Sequence, residues 1–326
     1  MSARPNDSGA GEFDLIARYF APLAGPGALG LKDDAALMRP APGCELVLTT
    51  DTVIAGVHFR EGDPPGAIAK KALRVNLSDL AAKGAKPLGF LHALTLNRSV
   101  TDAWLEDYAR GLGEDARAFG APLLGGDTTS SPGPVTITIT ALGEVPYGTA
   151  LLRSGARAGD VLYVSGTIGD AALGLACLTG DLLLPKTERS ALVERYHLPQ
   201  PRVNIGQALR GLASAAVDVS DGLVADTGHM ASASGVAIIL DRDAVPLSAA
   251  ARKAVGSDPR LWEKILTGGD DYEVAFAAPE NAEIARVARD TGVPLTAIGR
   301  VTAGTGIGVT AGGAPVMLSS GGYRHR

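Results

Sequence analysis

Cysteine is nearly absent: the 326 residues hold two, Cys44 and Cys177, with no CxxC spacing. That excludes a disulfide framework and a cysteine-built zinc site, and it points to a reducing compartment. A surplus of basic charge is missing too. Lys and Arg number 30 against 35 Asp and Glu, a formal charge of −5, which excludes a protein that hugs a nucleic-acid backbone. No uncharged apolar run reaches the roughly 18 residues of a membrane helix. Met1–Gly11 lacks the basic start and apolar stretch of a signal peptide and reads as a frayed tail. The expectation is a soluble, cytoplasmic protein with no nucleic-acid or membrane partner.

Glycine, by contrast, is abundant: 42 of 326 residues, while aromatics make up only 5%. That is about twice the usual glycine share, and it suits tight turns and backbone that comes close to small polar ligands. The chain is long enough for one large or two medium domains. Strand and helix patterns alternate along it. Glu45–Thr50, Val135–Leu142, Val161–Val164, Val236–Leu240 and Val274–Ala277 read as strands. Ile68–Leu80, Thr101–Phe119, Ala171–Leu178 and Ser248–Val255 read as helices, with Thr101 as a cap. A change in texture around Pro146–Gly159 divides the chain into a tail (1–11), an N-terminal domain (12–148) and a C-terminal domain (149–326). Each domain is expected to be an α/β layer structure.

The common nucleotide signatures fail. Gly25–Gly30 spells GxGxxG but follows a helix instead of a strand, so it reads as a loop. The nearest approach to a P-loop, Gly180–Thr187, has Pro185 at the second required glycine. No GxSxG occurs, and His58, His92, His197, His229 and His325 show no clustered spacing.

What recurs is aspartate among small residues at the ends of apolar runs. The sites are Asp33–Asp34, Thr49–Thr52 around Asp51, Ser78–Asp79, Gly125–Thr128 around Asp127, Asp218–Asp221 and Gly268–Asp271. One such Asp is usually a turn former or a helix cap. Six sites without His or Cys partners offer hard oxygen ligands of the kind Mg²⁺ takes, completed by water and phosphate. A polyphosphate ligand follows. Its phosphates would be held by metals, by Gly-rich backbone such as Gly125–Gly126, and by a few Arg side chains.

Thr49–Thr52 with His58–Phe59, Asn76–Ala82, Gly125–Thr128, Asp218–Leu223 and Gly269–Glu273 stand in that order. The series resembles the thiamine-monophosphate kinases, relatives of aminoimidazole ribonucleotide synthetase and selenophosphate synthetase. The likeness runs from about Glu12 to Tyr323. It implies a two-domain aminoimidazole ribonucleotide synthetase-like fold of α+β layers. It also implies a homodimer whose N-terminal sheets pair into a barrel, with ATP in a cleft between the domains. The implied reaction moves the γ-phosphoryl of ATP onto thiamine monophosphate to give thiamine diphosphate. By position, the resemblance implies Mg²⁺ ligands at Asp33, Thr49, Thr50, Asp51, Asp79, Asp127, Asp218 and Asp221. It implies ATP contacts at Tyr108, Gly126, Asp127, Arg153 and Ser220, and thiamine-phosphate contacts at His58, Asp270 and Tyr323.

The chemistry agrees with such a set. Both reactants are polyanions that bare aspartates repel, and bound cations invert that sign. The acceptor is an ionised phosphate oxygen, so no general base and no phospho-enzyme are expected. Plainer readings stand beside these. His58 can cap a loop, Tyr108 can be a core residue of its helix stripe, and Gly166–Asp170 can be a tight strand-to-helix turn with no anion. The alternatives for the whole chain are a sister ATP-dependent cyclase and a non-catalytic nucleotide sensor.

Overall fold

The computed structural model describes residues 12–319 and Gly322; the expected tail at 1–11 and Tyr323 lie outside the described residues. Contacts group the chain into two compact units. The first holds the chain to Pro42 with Leu48–Asn76 and Pro87–Gly143; the second holds Gly43–Val47, Leu77–Lys86 and the chain from Glu144.

The first unit opens with α1 (Glu12–Leu15), which runs on as a π turn over Ile16–Phe20. Pro26–Leu31 forms 3-10 turns with no strand before them among the described residues, so the GxGxxG does not follow a strand there. Then come β1 (Cys44–Ile54), α2 (Pro65–Ala82), β2 (Lys86–Leu96), α3 (Asp102–Ala118), β3 (Leu123–Ser130) and β4 (Thr136–Pro146). The strands form one sheet in the order β1-β4-β2-β3. Thr101 caps α3 as its composition predicts, accepting the Trp104 N–H at 3.2 Å. Leu105, Tyr108 and Leu112 of α3 are buried, each large apolar side chain contributing about 2 kcal/mol by leaving water. A bidentate Arg74–Asp115 pair joins α2 to α3.

Alternation places Leu46, Leu48, Thr50 and Thr52 of β1 on an exposed face. The Thr52 and Thr138 hydroxyls pair at 2.8 Å, and the Thr140 hydroxyl donates to Thr50 at 3.0 Å. Leu48 on this face is 63% exposed.

The second unit follows as β5 (Val161–Ser165), α4 (Asp170–Thr179), α5 (Lys186–His197), α6 (Val203–Leu209), β6 (Ala215–Asp218), α7 (Leu223–Ser234), β7 (Ala237–Asp241), α8 (Ala249–Ser257), α9 (Leu261–Thr267), β8 (Val274–Ala278), α10 (Ile284–Thr291), β9 (Leu295–Thr302), β10 (Gly306–Ala311) and β11 (Ala314–Pro315). Its sheet runs β11-β10-β7-β9-β5-β8-β6. β8 lies antiparallel to both neighbours, with Val164 opposite Ala275 and Asp218 opposite Val274. The C-terminal ends of β5 and β6 therefore meet the N-terminal end of β8 at one end of this sheet. Three loops gather there: Gly166–Gly169, Val219–Gly222 and Gly268–Glu273. The last turn of α2, from Leu77, groups with this unit.

In the first unit a single imidazole lies wholly inside the core. His92 of β2 is 3% exposed, its Nε2 is 2.8 Å from the Tyr108 hydroxyl, and its ring lies against Phe20. Burial lowers its pKa from 6.5 to about 4 and raises that of the Tyr108 phenol. The unfolded chain takes up a proton below pH 6.5 that the folded chain refuses until about pH 4. Stability is thus full above that window and falls as pH drops through it, by up to about 3 kcal/mol. Urea unfolding of the wild type and His92→Gln at pH 7 and pH 5 should show a smaller acid loss in the variant; equal losses would refute the assignment.

Candidate functional site

At the gathered end of the second sheet, buried carboxylates occupy the backbone amides of the loops. α7 starts at Leu223 with no capping side chain before it, and the N–H groups there need acceptors. Asp226, one turn inside the helix, reaches back. Its Oδ2 accepts the N–H groups of Ser220, Asp221 and Gly222 at 2.9, 3.0 and 3.1 Å. Burial, then the charge of Asp221, push its pKa up to about 7 against those three donors. α4 shows the same device from a distance. The Gly169 N–H donates to both oxygens of Asp271 at 2.9 and 3.0 Å, and burial raises the Asp271 pKa well above its usual value. The Gly166–Asp170 turn therefore has the structural role, not an anion site.

Glu273 holds the third loop. It is 0% exposed and accepts from the Ser165 hydroxyl (2.6 Å), Arg195 Nη2 (2.9 Å) and Arg202 Nε (2.6 Å). Backbone bonds then lace this loop to the Asp218–Asp221 segment. Val219 N–H donates to the Glu273 carbonyl, Tyr272 N–H to Val219 and Asp270 N–H to Ser220, all at 2.8 Å. Gly269 has φ +69°, and a Cβ there would lie 2.3 Å from the Ser220 carbonyl oxygen. Asp270 (φ 67°) and Tyr272 (φ 51°) take the left-handed region without being glycine, a strain of the kind that persists only where surroundings impose it. The lacing brings Ser220, Asp221 and Asp270 together.

Asp218 ends β6 at 3% exposure, and its Oδ2 accepts the Ser78 hydroxyl at 2.8 Å. That bond joins two predicted motifs 140 residues apart, with Asp79 the residue after Ser78. Asp221, Asp226 and His229 offer ligand atoms within 4.8 Å of one another. Asp226 and His229 were not singled out in the sequence; an Asp one turn inside a helix that starts on glycine is the signal that points to the first.

In the first unit the predicted residues occupy different settings. Asp51 is fixed through its backbone, whose N–H donates to Oδ1 of the buried Asn76 at 3.1 Å, while Asn76 Nδ2 donates to the Ala72 carbonyl at 3.0 Å. Thr49 and Asp51 share one face of β1, and Thr50 faces the other way. The Thr50 hydroxyl donates to the Ile139 carbonyl at 3.2 Å. Strand alternation therefore turns the Thr50 side chain to the face opposite Thr49 and Asp51. Asp33 is exposed and its Oδ1 accepts the Asp34 N–H at 2.8 Å, a turn contact. Asp127 is exposed on β3.

Gly125 and Gly126 are strand residues, not a loop. Gly126 pairs with His92, and a Cβ there would lie 1.9 Å from the His92 carbonyl oxygen. His58 Nδ1 accepts the Ile54 N–H at 3.1 Å, closing the turn after β1, so its neutral form carries the proton on Nε2. Tyr108 is 0% exposed, stacks on Trp104 and pairs with His92, the core position that its helix stripe offers.

The fold and these motifs define a class. The profile of the AIR synthase related protein N-terminal domain matches residues 32–145, and that of the C-terminal domain matches 157–312. A thiamine-monophosphate kinase of Caulobacter vibrioides is 42% identical over 99% of this chain and 93% of its own length. The crystal structure of the Stenotrophomonas maltophilia thiamine-monophosphate kinase is 40% identical, with a TM-score of 0.82 over 91% of this chain and 94% of that one. AaThiL complexed with AMPPCP and TMP is 31% identical, with a TM-score of 0.77 over 90% and 91% of the two chains. The chain belongs to the thiamine-monophosphate kinase family of AIR synthase related proteins.

The Asp226 contact is directly testable. Asp226→Ala strips the acceptor from one buried and two part-buried N–H groups and should cost about 2–4 kcal/mol, read by urea unfolding. Asp226→Asn, which keeps one acceptor oxygen, should cost clearly less. Equal stability of wild type and Ala variant would exclude the contact.

Proposed function

We propose that this chain transfers the γ-phosphoryl group of ATP to thiamine monophosphate, forming thiamine diphosphate and ADP. The observation that carries the reading is the match over nearly full length to thiamine-monophosphate kinases, one of them solved with an ATP analogue and TMP. The relatives quoted are kinases, so the cyclase alternative is not retained.

Oxygen donors fit the Mg²⁺ that the family implies. Asp79 is half-buried, Asp218 is 3% exposed and bonded to Ser78, the neighbour of Asp79, and carboxylates brought towards one another favour a cation between them. Asp79, Asp218 and Asp221 would hold Mg²⁺ in the second unit. Asp33, Thr49, Thr50, Asp51 and Asp127 would do so in the first. When bound, Mg²⁺ neutralises phosphate charge and aligns donor and acceptor oxygens.

The protein's share is positioning. In the second unit, Ser220, in a loop pinned by Asp226, and Arg153 would contact the nucleotide, and Asp270 the thiamine phosphate; in the first unit, the resemblance carries Gly126 as a nucleotide contact and His58 as a thiamine-phosphate contact. Asp270, whose carboxylate is set by its left-handed backbone, suits the cationic thiazolium. No side chain need remove a proton, since the attacking phosphate oxygen is already ionised. The exposed Leu46–Thr52 face of β1 is the surface on which two copies would pair their sheets, as the family resemblance implies. No helix among the described residues is long and apolar enough to cross a membrane.

Incubation with ATP, Mg²⁺ and thiamine monophosphate should yield thiamine diphosphate and ADP in equal amounts by mass spectrometry. Asp127→Asn should reduce that rate by at least about a hundredfold with the fold intact. Absence of product from the wild type, or wild-type turnover in the variant, would overturn the reading. Leu48→Asp should shift a dimer to monomer in sedimentation; an unchanged sedimentation coefficient would remove this face from the interface.

A further inference from the structure

Lys83 has no role in the site as described so far, yet hydrogen bonds place it within the second unit's part of that site. It follows the last turn of α2, four residues after Asp79, and its N–H donates to the Asp79 carbonyl at 3.1 Å. Its own carbonyl accepts the Leu151 N–H at 3.1 Å, two residues before Arg153. The Leu152 carbonyl accepts the Ala216 N–H at 2.8 Å, which ties this segment to β6 two residues before Asp218. The Asp218 carboxylate, in turn, accepts from Ser78, the neighbour of Asp79. The circuit closes on itself. It sets two carboxylates, Asp79 and Asp218, with two cations, Lys83 and Arg153.

The surroundings of Lys83 are small and apolar: Ala81, Ala82 and Ala85 are buried, while Lys83 is half-buried. Arg153, Asp79 and Asp218 are the charged groups that act on its ammonium. Two cations held close enough to repel gain from an anion between them, and two carboxylates gain from a cation. A metal–polyphosphate complex supplies both.

We propose that Lys83 is a further nucleotide-binding residue, its ammonium contacting a phosphate oxygen of ATP alongside Arg153. The proposal rests on the kinase reading above. Arg153 brings a planar fork of donors and Lys83 a compact point charge on a flexible stem, so the contact depends on charge more than on shape. A lysine that only complements the C-terminal end of α2 would affect stability and leave nucleotide affinity alone.

The test is calorimetric titration of the full chain with AMPPCP in saturating Mg²⁺, for wild type, Lys83→Met and Lys83→Arg. The Met variant should bind about tenfold more weakly, the loss expected for one charge-assisted contact. The KM for ATP should rise in parallel, the KM for thiamine monophosphate should hold, and the Arg variant should recover most of the affinity. A second measurement needs no variant: amine labelling of wild-type protein, read by mass spectrometry, should be slowed at Lys83 by Mg²⁺-AMPPCP. If the wild type binds AMPPCP but the Met variant binds equally well, or Lys83 is not protected, the proposal falls and the kinase reading stands. If the wild type neither binds AMPPCP nor makes thiamine diphosphate, both fall.

Discussion

Three buried carboxylates, Asp226, Asp271 and Glu273, hold the working end of the second sheet in place. Each carries its charge-bearing group into the interior, where an unsatisfied carboxylate is costly, and each is satisfied by groups from loops that must otherwise find partners. Asp226 gathers the Ser220–Gly222 amides, Asp271 the Gly169 amide, and Glu273 the guanidinium groups of Arg195 and Arg202. The strained backbone at Tyr272 lies between Asp271 and Glu273, and that at Asp270 directly precedes Asp271. A loop pinned on both sides can hold a conformation that a free loop would leave.

That arrangement has a consequence for phosphate. In many nucleotide-binding folds the N-terminus of a helix presents bare amides to the polyphosphate. Here the Gly169 N–H before α4 and the Ser220, Asp221 and Gly222 N–H groups before α7 are taken by the chain's own carboxylates. On the reading proposed above, phosphate is held instead by cations bridging to Asp79, Asp218 and Asp221 and by basic side chains. The abundance of aspartate and the lack of a P-loop are two sides of one design.

Local chemistry made part of this legible in the sequence. The Thr101 cap, the stripe of α3 and the threonine alternation of β4 depend on neighbours within a few residues, and each has its counterpart in the fold. β2 and β3 escaped notice because their strand character comes from distant partners. Lys86–Leu96 is buried on both faces over part of its length and breaks its alternation at Gly89, while Leu123–Ser130 carries a Gly-Gly-Asp sequence that reads as a turn. Gly126 is glycine because the His92 carbonyl passes close by, a fact of tertiary packing. Tyr108 shows the converse: its helical periodicity was plain, and periodicity pointed to the core. The aspartate motifs stood out as motifs, but the Ser78–Asp218 bond and the capping by Asp226 are long-range or buried relations that composition does not carry.

The central claim is that phosphate is held through metal and not through backbone amides. The most direct test uses the two diastereomers of ATP carrying sulfur on the β-phosphate, with thiamine monophosphate as acceptor, in Mg²⁺ and then in the softer Cd²⁺. Sulfur is a poor ligand for Mg²⁺ and a good one for Cd²⁺, so metal-held phosphate predicts that the preferred diastereomer reverses when the metal is exchanged. The same preference with both metals would contradict the account.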